Sequence, residues 1–290
     1  MLNRFLGNFL VKKKLLSEEQ LTTLLSDLKG YKASVPTIAL VMKVLDQKQV
    51  EDCIKSCDGN KAQFGEKAVE LGMLTDDRLE YLLTFQENLF AVFIEKMIEQ
   101  KLITYQQLVS VVTELQLSRK WSENQLHALI QWDVPLIVDM FVPLRSPQLK
   151  ALTVTFVDYV KKYIDPNMYL EKAYVSNAVS LTGFSAQEMK GDFRYTLYLA
   201  GEGNSLLGIA NHFSGLTFSE VNEDTLDNIC EFINCVNGQF ATDMSYDNID
   251  IDMEAPFYNV GTQSISNGRI YVIPFHVNGC ELQAVYEVHE

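Results

Sequence analysis

Three side chains stand at helical spacing in the second half of this 290-residue chain: Asp227, Glu231 and Asn234, at i, i+4 and i+7. Intervals of four and three residues stack side chains on one helix face. A carboxylate placed there can pair with a cation, and a carboxamide one turn on can accept and donate hydrogen bonds without being ionised. The stretch that would carry them runs from about Asn222 to Met244, with Ile229, Phe232, Ile233, Val236 and Phe240 as an apolar stripe at helical spacing. That stripe is expected to face a sheet, which turns the Asp-Glu-Asn face outward and leaves Gly238 as open backbone beyond it. The plain alternative is a solvated helix surface, because Glu and Asn are ordinary exposed residues.

Other residues with chemical potential are less organised. Cys53 and Cys57 stand four apart on an expected helix, but no second Cys or His pair accompanies them, and a zinc site needs four ligands at recognisable spacing. They read as buried or idle thiols, and Cys230 and Cys235 as packing residues. His127, His212, His276 and His289 are scattered singly. The acidic run Asp243, Asp247, Asp250, Asp252 and Glu254 lacks the spacing, central Gly and closing Glu of a calcium loop. It reads as a solvated loop leading into a strand with Ile249, Ile251 and Met253 on its apolar face. No intrinsic cofactor or metal is expected.

The elements that must position these residues divide in two. Segments at a constant offset of 29 residues repeat an apolar residue, a capping residue, three polar positions and another apolar residue: Leu16-Ser17 to Leu21, Leu45-Asp46 to Val50, Leu74-Thr75 to Leu79, and Ile103-Thr104 to Leu108. Each capping residue can accept a hydrogen bond from an orphaned amide at a helix start. Gln20, Gln49 and Gln107 complete capping boxes, and Ser122 with Gln125 marks a fifth start. A unit of helix, turn and helix this short cannot bury its apolar face alone, so neighbouring units should stack into an all-α repeat domain. Pro135, Pro143, Pro147 and Pro166 cluster beyond it, and Pro147 behind Ser146 suits the first position of a helix over Leu149 to Ile164. Beyond that helix the period changes. Tyr195–Leu199 and Leu206–Ala210, flanking Gly201-Glu202-Gly203-Asn204, read as paired strands, and Arg269–Val277 and Cys280–Val288 flank Asn278-Gly279, a strong hairpin signal. The expected organisation is α+β: a helical repeat domain over residues 1–130, a linker over 131–148 and an α/β sandwich over 149–290.

Composition narrows the function. Hydrophobic residues at 47% and charged residues at 21% suit two folded cores, and no apolar run is long enough to span a membrane. The net charge of -14 is unevenly placed, with 16 Lys and Arg against 17 Asp and Glu in residues 1–130, and 8 against 21 in the rest. A second half this acidic repels phosphate backbones, which argues against a nucleic-acid partner. The start Met1-Leu2-Asn3-Arg4-Phe5 carries no signal-peptide or lipidation pattern, and five cysteines, an odd number, fit reduced thiols, so a cytoplasmic location is expected.

In the first half, Leu6-Gly7-Asn8-Phe9-Leu10-Val11 and Phe64-Gly65-Glu66-Lys67-Ala68-Val69 resemble the repeated motif of the N-terminal domain of type II secretion and pilus-assembly ATPases, some of which bind cyclic di-GMP. The nucleotide-binding version has Arg before the Leu-Gly pair. Phe5 and Gln63 stand there in this chain, and Lys14 replaces the first motif's glycine. Without the guanidinium a bidentate contact to the nucleotide is missing, so packing or docking is expected of this domain instead.

In the second half, Asp227-x3-Glu231-x2-Asn234, followed after 21 residues by Pro256, resembles the signature of the CheC/CheX chemotaxis phosphatases, one residue short of the family's usual interval. The resemblance spans roughly residues 150–290, with one Glu-x2-Asn motif as in CheX. It implies a CheX-like domain that removes the phosphoryl group from the phosphoaspartate of a CheY-like response regulator, the regulator supplying Mg²⁺. Asn234 would orient the attacking water, Glu231 would meet the regulator's active-site Lys, and Asp227 is a candidate for docking. Domains of this family dimerise, so a homodimer through the C-terminal domain is also implied. The rival reading is a non-catalytic adaptor or a cyclic di-GMP sensor in the same signalling systems.

Overall fold

The computed structural model describes every residue except Pro143, Arg145, Asn267 and Glu290. Pro143, read as part of the join, therefore lies outside the described residues. The chain divides into two compact units, Leu2–Trp132 and Asp133–Glu290.

The first unit is helical: α1 Leu2–Lys12, α2 Glu18–Ser26, α3 Val35–Val41, α4 Gln47–Ser56, α5 Phe64–Glu70, α6 Asp76–Leu83, α7 Leu89–Glu99, α8 Tyr105–Arg119 and α9 Glu123–Gln131. The offset of 29 survives in atomic detail. Ser17, Asp46, Thr75 and Thr104 accept from the amides of Gln20, Gln49, Arg78 and Gln107, at 3.1, 2.8, 3.3 and 3.2 Å. Gln20, Gln49, Gln107 and Gln125 return the bond to the cap amide. Each preceding helix ends on a left-handed residue at the same offset: Lys14, Lys43, Gly72 and Lys101, with φ of 60°, 55°, 68° and 57°. Three lysines thus hold a conformation that glycine holds without steric cost. The repeated glycines serve packing, since a Cβ on Gly7 would lie 2.2 Å from Leu21 Cδ1 and one on Gly65 2.8 Å from Leu79 Cδ1. Phe5, at the place of the absent arginine, is buried edge-on to Trp121 with the Arg119 guanidinium over its ring. Helix α7 is buried over most of its length and packs on α1, α2 and α3. Its Glu95, 2% exposed, accepts from the Ser34 amide and hydroxyl and from Lys61, tying α3 and the turn at Lys61–Gln63 to the core.

The second unit contains α10 Val134–Phe141, α11 Pro147–Tyr163, β1 Tyr169–Leu170, β2 Tyr174–Ser176, β3 Val179–Gly191, β4 Tyr195–Ala200, α12 Leu207–Ser214, α13 Glu223–Ser245, β5 Ile251–Met253, β6 Phe257–Ile265, β7 Arg269–Val277 and β8 Cys280–Val288. Helix α10 falls within the stretch expected to be linker and packs on α11. The sheet runs β1-β7-β8-β4-β3-β5, with β2 beside β7 and β6 beside β3, and every pairing among the described residues is antiparallel. The β7–β8 hairpin closes at Val277↔Cys280 with both turn residues left-handed, Asn278 at φ 51° and Gly279 at 85°, as its sequence implied.

One strand expectation needs correction, and two strands went unread. Leu206–Ala210 is not a strand, because residues from Leu207 on form α12, closed by left-handed Gly215. A five-residue apolar run fits either element by pattern, and β4 already has β3 and β8 on its two edges, leaving no place for a third partner. Strands β3 and β6 escaped the sequence reading because Ser, Thr, Gln and Asn blur their alternation. The bulge in β3 at Gly183, φ 61°, shifts its register, and Leu181 and Ile265 beyond it join a buried cluster with Val272 and Val285. Helix α13 lies on the opposite face, with Ile229, Phe232, Ile233, Val236 and Phe240 fully buried as the stripe required. No helix among the described residues is long and apolar enough to cross a membrane.

Candidate active site

Helix α13 begins where its capping residue places it, Asn222 accepting from the Thr225 amide at 3.1 Å. Hydrogen bonds to the sheet then anchor it. Ser185 of β3 donates to the Leu226 carbonyl at 2.6 Å, and the Cys230 thiol donates to the Phe257 carbonyl of β6 at 3.3 Å. Burial pushes the Cys230 thiol up from its ordinary range, so it stays protonated and serves packing, whereas Cys235 is exposed.

The three candidate residues share one side of α13 without being equivalent. Asp227 and Glu231 are exposed, and neither has a hydrogen-bond or ion-pair partner among the described residues. Asn234 is half-buried. It sits at the border between the exposed row and the row of Cys230 and Asn237, both buried, so the expectation that it projects fully into solvent is corrected. Its Oδ1 accepts from Gln187 Nε2 at 2.8 Å. Gly238 is likewise not open backbone, because a Cβ there would touch the Met253 thioether at 3.7 Å.

Behind Asn234 lies a chain of buried amides that sequence reasoning missed. Gln187 of β3, fully buried, donates through Nε2 to both Asn234 and the Glu254 carbonyl, the latter at 2.8 Å. Its Oε1 accepts from Asn237 Nδ2 at 2.9 Å, and Asn237 Oδ1 accepts from the Tyr195 hydroxyl at 3.0 Å. Asn237 and Tyr195 are fully buried as well, and burial raises the Tyr195 hydroxyl far above its ordinary range, so it remains a donor. The segment leading to Pro256 is thereby tied to α13 through one glutamine. A polar residue inside the apolar stripe, Asn237 between Val236 and Phe240, was the available signal, since a buried amide demands partners.

Around the helix start the surface is acidic and aromatic. Tyr258 on β6 is partly exposed, and desolvation together with the carboxylates of Glu223, Asp227 and Asp224 raises its hydroxyl above the ordinary range. Val260 of the same strand is also exposed. The acidic run after α13 is engaged locally, with Asp192 accepting the Asp250 amide and Lys190 pairing with Glu254 at 2.7 Å. No group of three or more His, Cys, Asp or Glu among the described residues is placed to hold a metal ion.

Comparison with known proteins bears on this unit. Residues 184–276 match the family model described as chemotaxis phosphatase CheX. The matched segment contains Gln187, Asp227, Glu231, Asn234 and Pro256 and is CheX-like. No curated protein matches the chain. Among solved structures, the chain is similar to a CheC-like superfamily protein from Shewanella sp. PV-4, 17% identical, covering 51% of this chain and 100% of that one with a TM-score of 0.44. It is also similar to the chemotaxis protein CheX from Desulfovibrio desulfuricans, 14% identical, with 50% and 100% covered and a TM-score of 0.43. A third is the CheX–CheY–BeF3–Mg²⁺ complex from Borrelia burgdorferi, 13% identical, with 50% and 100% covered and a TM-score of 0.43.

Proposed function

We propose that the second unit is a protein phosphatase that hydrolyses the phosphoaspartate of a CheY-like response regulator, with Asn234 orienting the attacking water and Glu231 holding the regulator. The observation that carries this reading is the pairing on one helix face of an amide held in place from behind and an exposed, unpartnered carboxylate one turn away, inside a CheX-like segment. An acyl phosphate has a good leaving group, so the enzyme's task is chiefly positioning. The water oxygen bonds to phosphorus, the bond from phosphorus to the aspartyl oxygen breaks, and its electron pair returns to the regulator's carboxylate as inorganic phosphate leaves. No side chain of this protein is the nucleophile. Mg²⁺ in this reaction belongs to the regulator, where it neutralises charge on the phosphoryl oxygens.

Glu231 would pair with a lysine of the regulator, and Asp227, with the neighbouring Tyr258, would add to the docking surface. A carboxylate without an internal partner gains from such a pair and gives up none within its own fold. The first unit takes a docking or regulatory role in this account. Burial of Phe5 and the leucine contacts at Gly7 and Gly65 favour packing over nucleotide binding at its repeated motif. A homodimer through the second unit completes the proposal. The test is to incubate the protein with phosphorylated response regulators and follow phosphate release. Faster loss than the regulator's own rate supports the phosphatase, and unchanged loss across the regulators tried favours an adaptor.

A further inference from the structure

We propose that Gln187 is the positioning residue of this site, fixing the Asn234 carboxamide so that its Nδ2 faces outward and Asn234 acts on the attacking water as a hydrogen-bond donor. This rests on the phosphatase reading for its chemistry but on hydrogen-bond logic for its geometry. The Glu254 carbonyl can only accept, so the Gln187 atom facing it at 2.8 Å is the amide nitrogen. The other hydrogen of the same nitrogen meets Asn234 at 2.8 Å, which makes the contacted atom Oδ1 and turns Nδ2 away from the core. The remaining Gln187 atom, Oε1, requires a donor and finds Asn237 Nδ2 at 2.9 Å. That bond turns Asn237 Oδ1 toward the Tyr195 hydroxyl, a donor at 3.0 Å.

Every polar atom of Gln187 is thus committed, at a side chain fully out of solvent. Reversing either amide would set like against like, two donors or two acceptors, around a fully buried glutamine. The consequence at the surface is a single orientation of Asn234. Its N–H can occupy one lone pair of a water and leave the second aimed at phosphorus, while the water's protons leave with the phosphate and the solvent. The family signature places Glu, Asn and Pro in the sequence. Here Gln187 joins two of these segments, taking Asn234 on one side and the backbone two residues before Pro256 on the other.

The test uses the full chain and a saturating phosphorylated regulator. Gln187→Met keeps volume and removes the donors. It is expected to lower the single-turnover rate by roughly 10- to 100-fold, the cost of a misplaced reacting group, with regulator affinity within about threefold of wild type. In an Asn234→Ala background the same change should cost less than about twofold, because there is nothing left to position. An equal loss in both backgrounds, or no loss in either, overturns the proposal. Asn234→Asp, which leaves Gln187 in place and can be made if Gln187→Met does not fold, presents an acceptor outward. A wild-type rate for it overturns the donor assignment. Side-chain coupling constants of Asn234 by NMR give a readout independent of turnover. A single χ1 rotamer in the wild type, averaged in Gln187→Met, supports the positioning role even if no regulator is hydrolysed, and an averaged rotamer in the wild type overturns it even if one is.

Discussion

Removing one buried oxygen separates the stability of the polar network from its chemistry. Tyr195 is fully buried and its hydroxyl donates at 3.0 Å to Asn237 Oδ1, which is also fully buried. Tyr195→Phe keeps the ring against Phe240 and Phe193, at centroid distances of 5.9 and 5.3 Å, so packing changes little. What is lost is one hydrogen bond, and what is left is a buried carbonyl oxygen without that partner, together worth about 1–2 kcal/mol. For a unit of this size that corresponds to a fall in melting temperature of roughly 2–8 °C. Gln187 keeps its bonds to the Glu254 carbonyl and to Asn237, so Asn234 stays oriented and phosphate release should remain within about threefold of wild type. Calorimetry gives the first quantity and single-turnover kinetics the second. An unchanged melting temperature would show that the hydroxyl does not secure Asn237, and a rate loss of tenfold or more would show that the chain of amides transmits farther than its bonds require.

The repeat unit supports three further expectations. Lys101→Gly, at an exposed left-handed residue with φ 57°, should stabilise the first unit by up to about 1 kcal/mol in urea titration, by relief of backbone strain. Gly7→Ala, whose Cβ would collide with buried Leu21, should cost about 1–2 kcal/mol, whereas Gly65→Ala, facing half-buried Leu79, should be close to neutral in the same titration. Burial alone would raise Glu95, but hydrogen bonds from Lys61, Ser34 and Thr37 and the Lys61 charge bring it below the ordinary glutamate range. A carboxylate depressed by folding contributes stability above its unfolded pKa and loses it as pH falls through the folded one, so the first unit should weaken below about pH 4. Glu95→Gln should be less stable at pH 7 and show a shallower acid limb, as measured by denaturant midpoints against pH.

Local chemistry made much of this architecture readable. The caps at Ser17, Asp46, Thr75 and Thr104, the helix running on from Asn222, the stripe from Ile229 to Phe240 and the Asn278-Gly279 turn are each decided by residues within a few positions of one another. Leu206–Ala210 was misread because five apolar residues carry no period, and what excludes them from the sheet is the occupancy of β4 by β3 and β8. The same limit applies at the site. Glu231 and Asn234 were legible as one helix face, but the half-burial of Asn234 follows from β3 passing beneath α13, and Gln187 is 47 residues away in sequence. Lys14 holds the left-handed backbone that Gly72 holds at the equivalent place of the repeat, so the turn is kept within this chain although the residue type differs.

Asn234→Ala tests the central claim most directly. Gln187 Nε2 keeps the Glu254 carbonyl, so the lost bond costs about 0.5–1.5 kcal/mol, partly offset by the helix preference of Ala. The folded population is then unchanged at working temperature, as circular dichroism can verify. Single-turnover loss of phosphate from a saturating phosphorylated regulator should fall by roughly 10² to 10⁴ with binding nearly intact, the range expected when a positioned catalytic group is removed. Wild-type turnover in this variant would contradict the account and reduce the Glu-x2-Asn face to solvated helix surface.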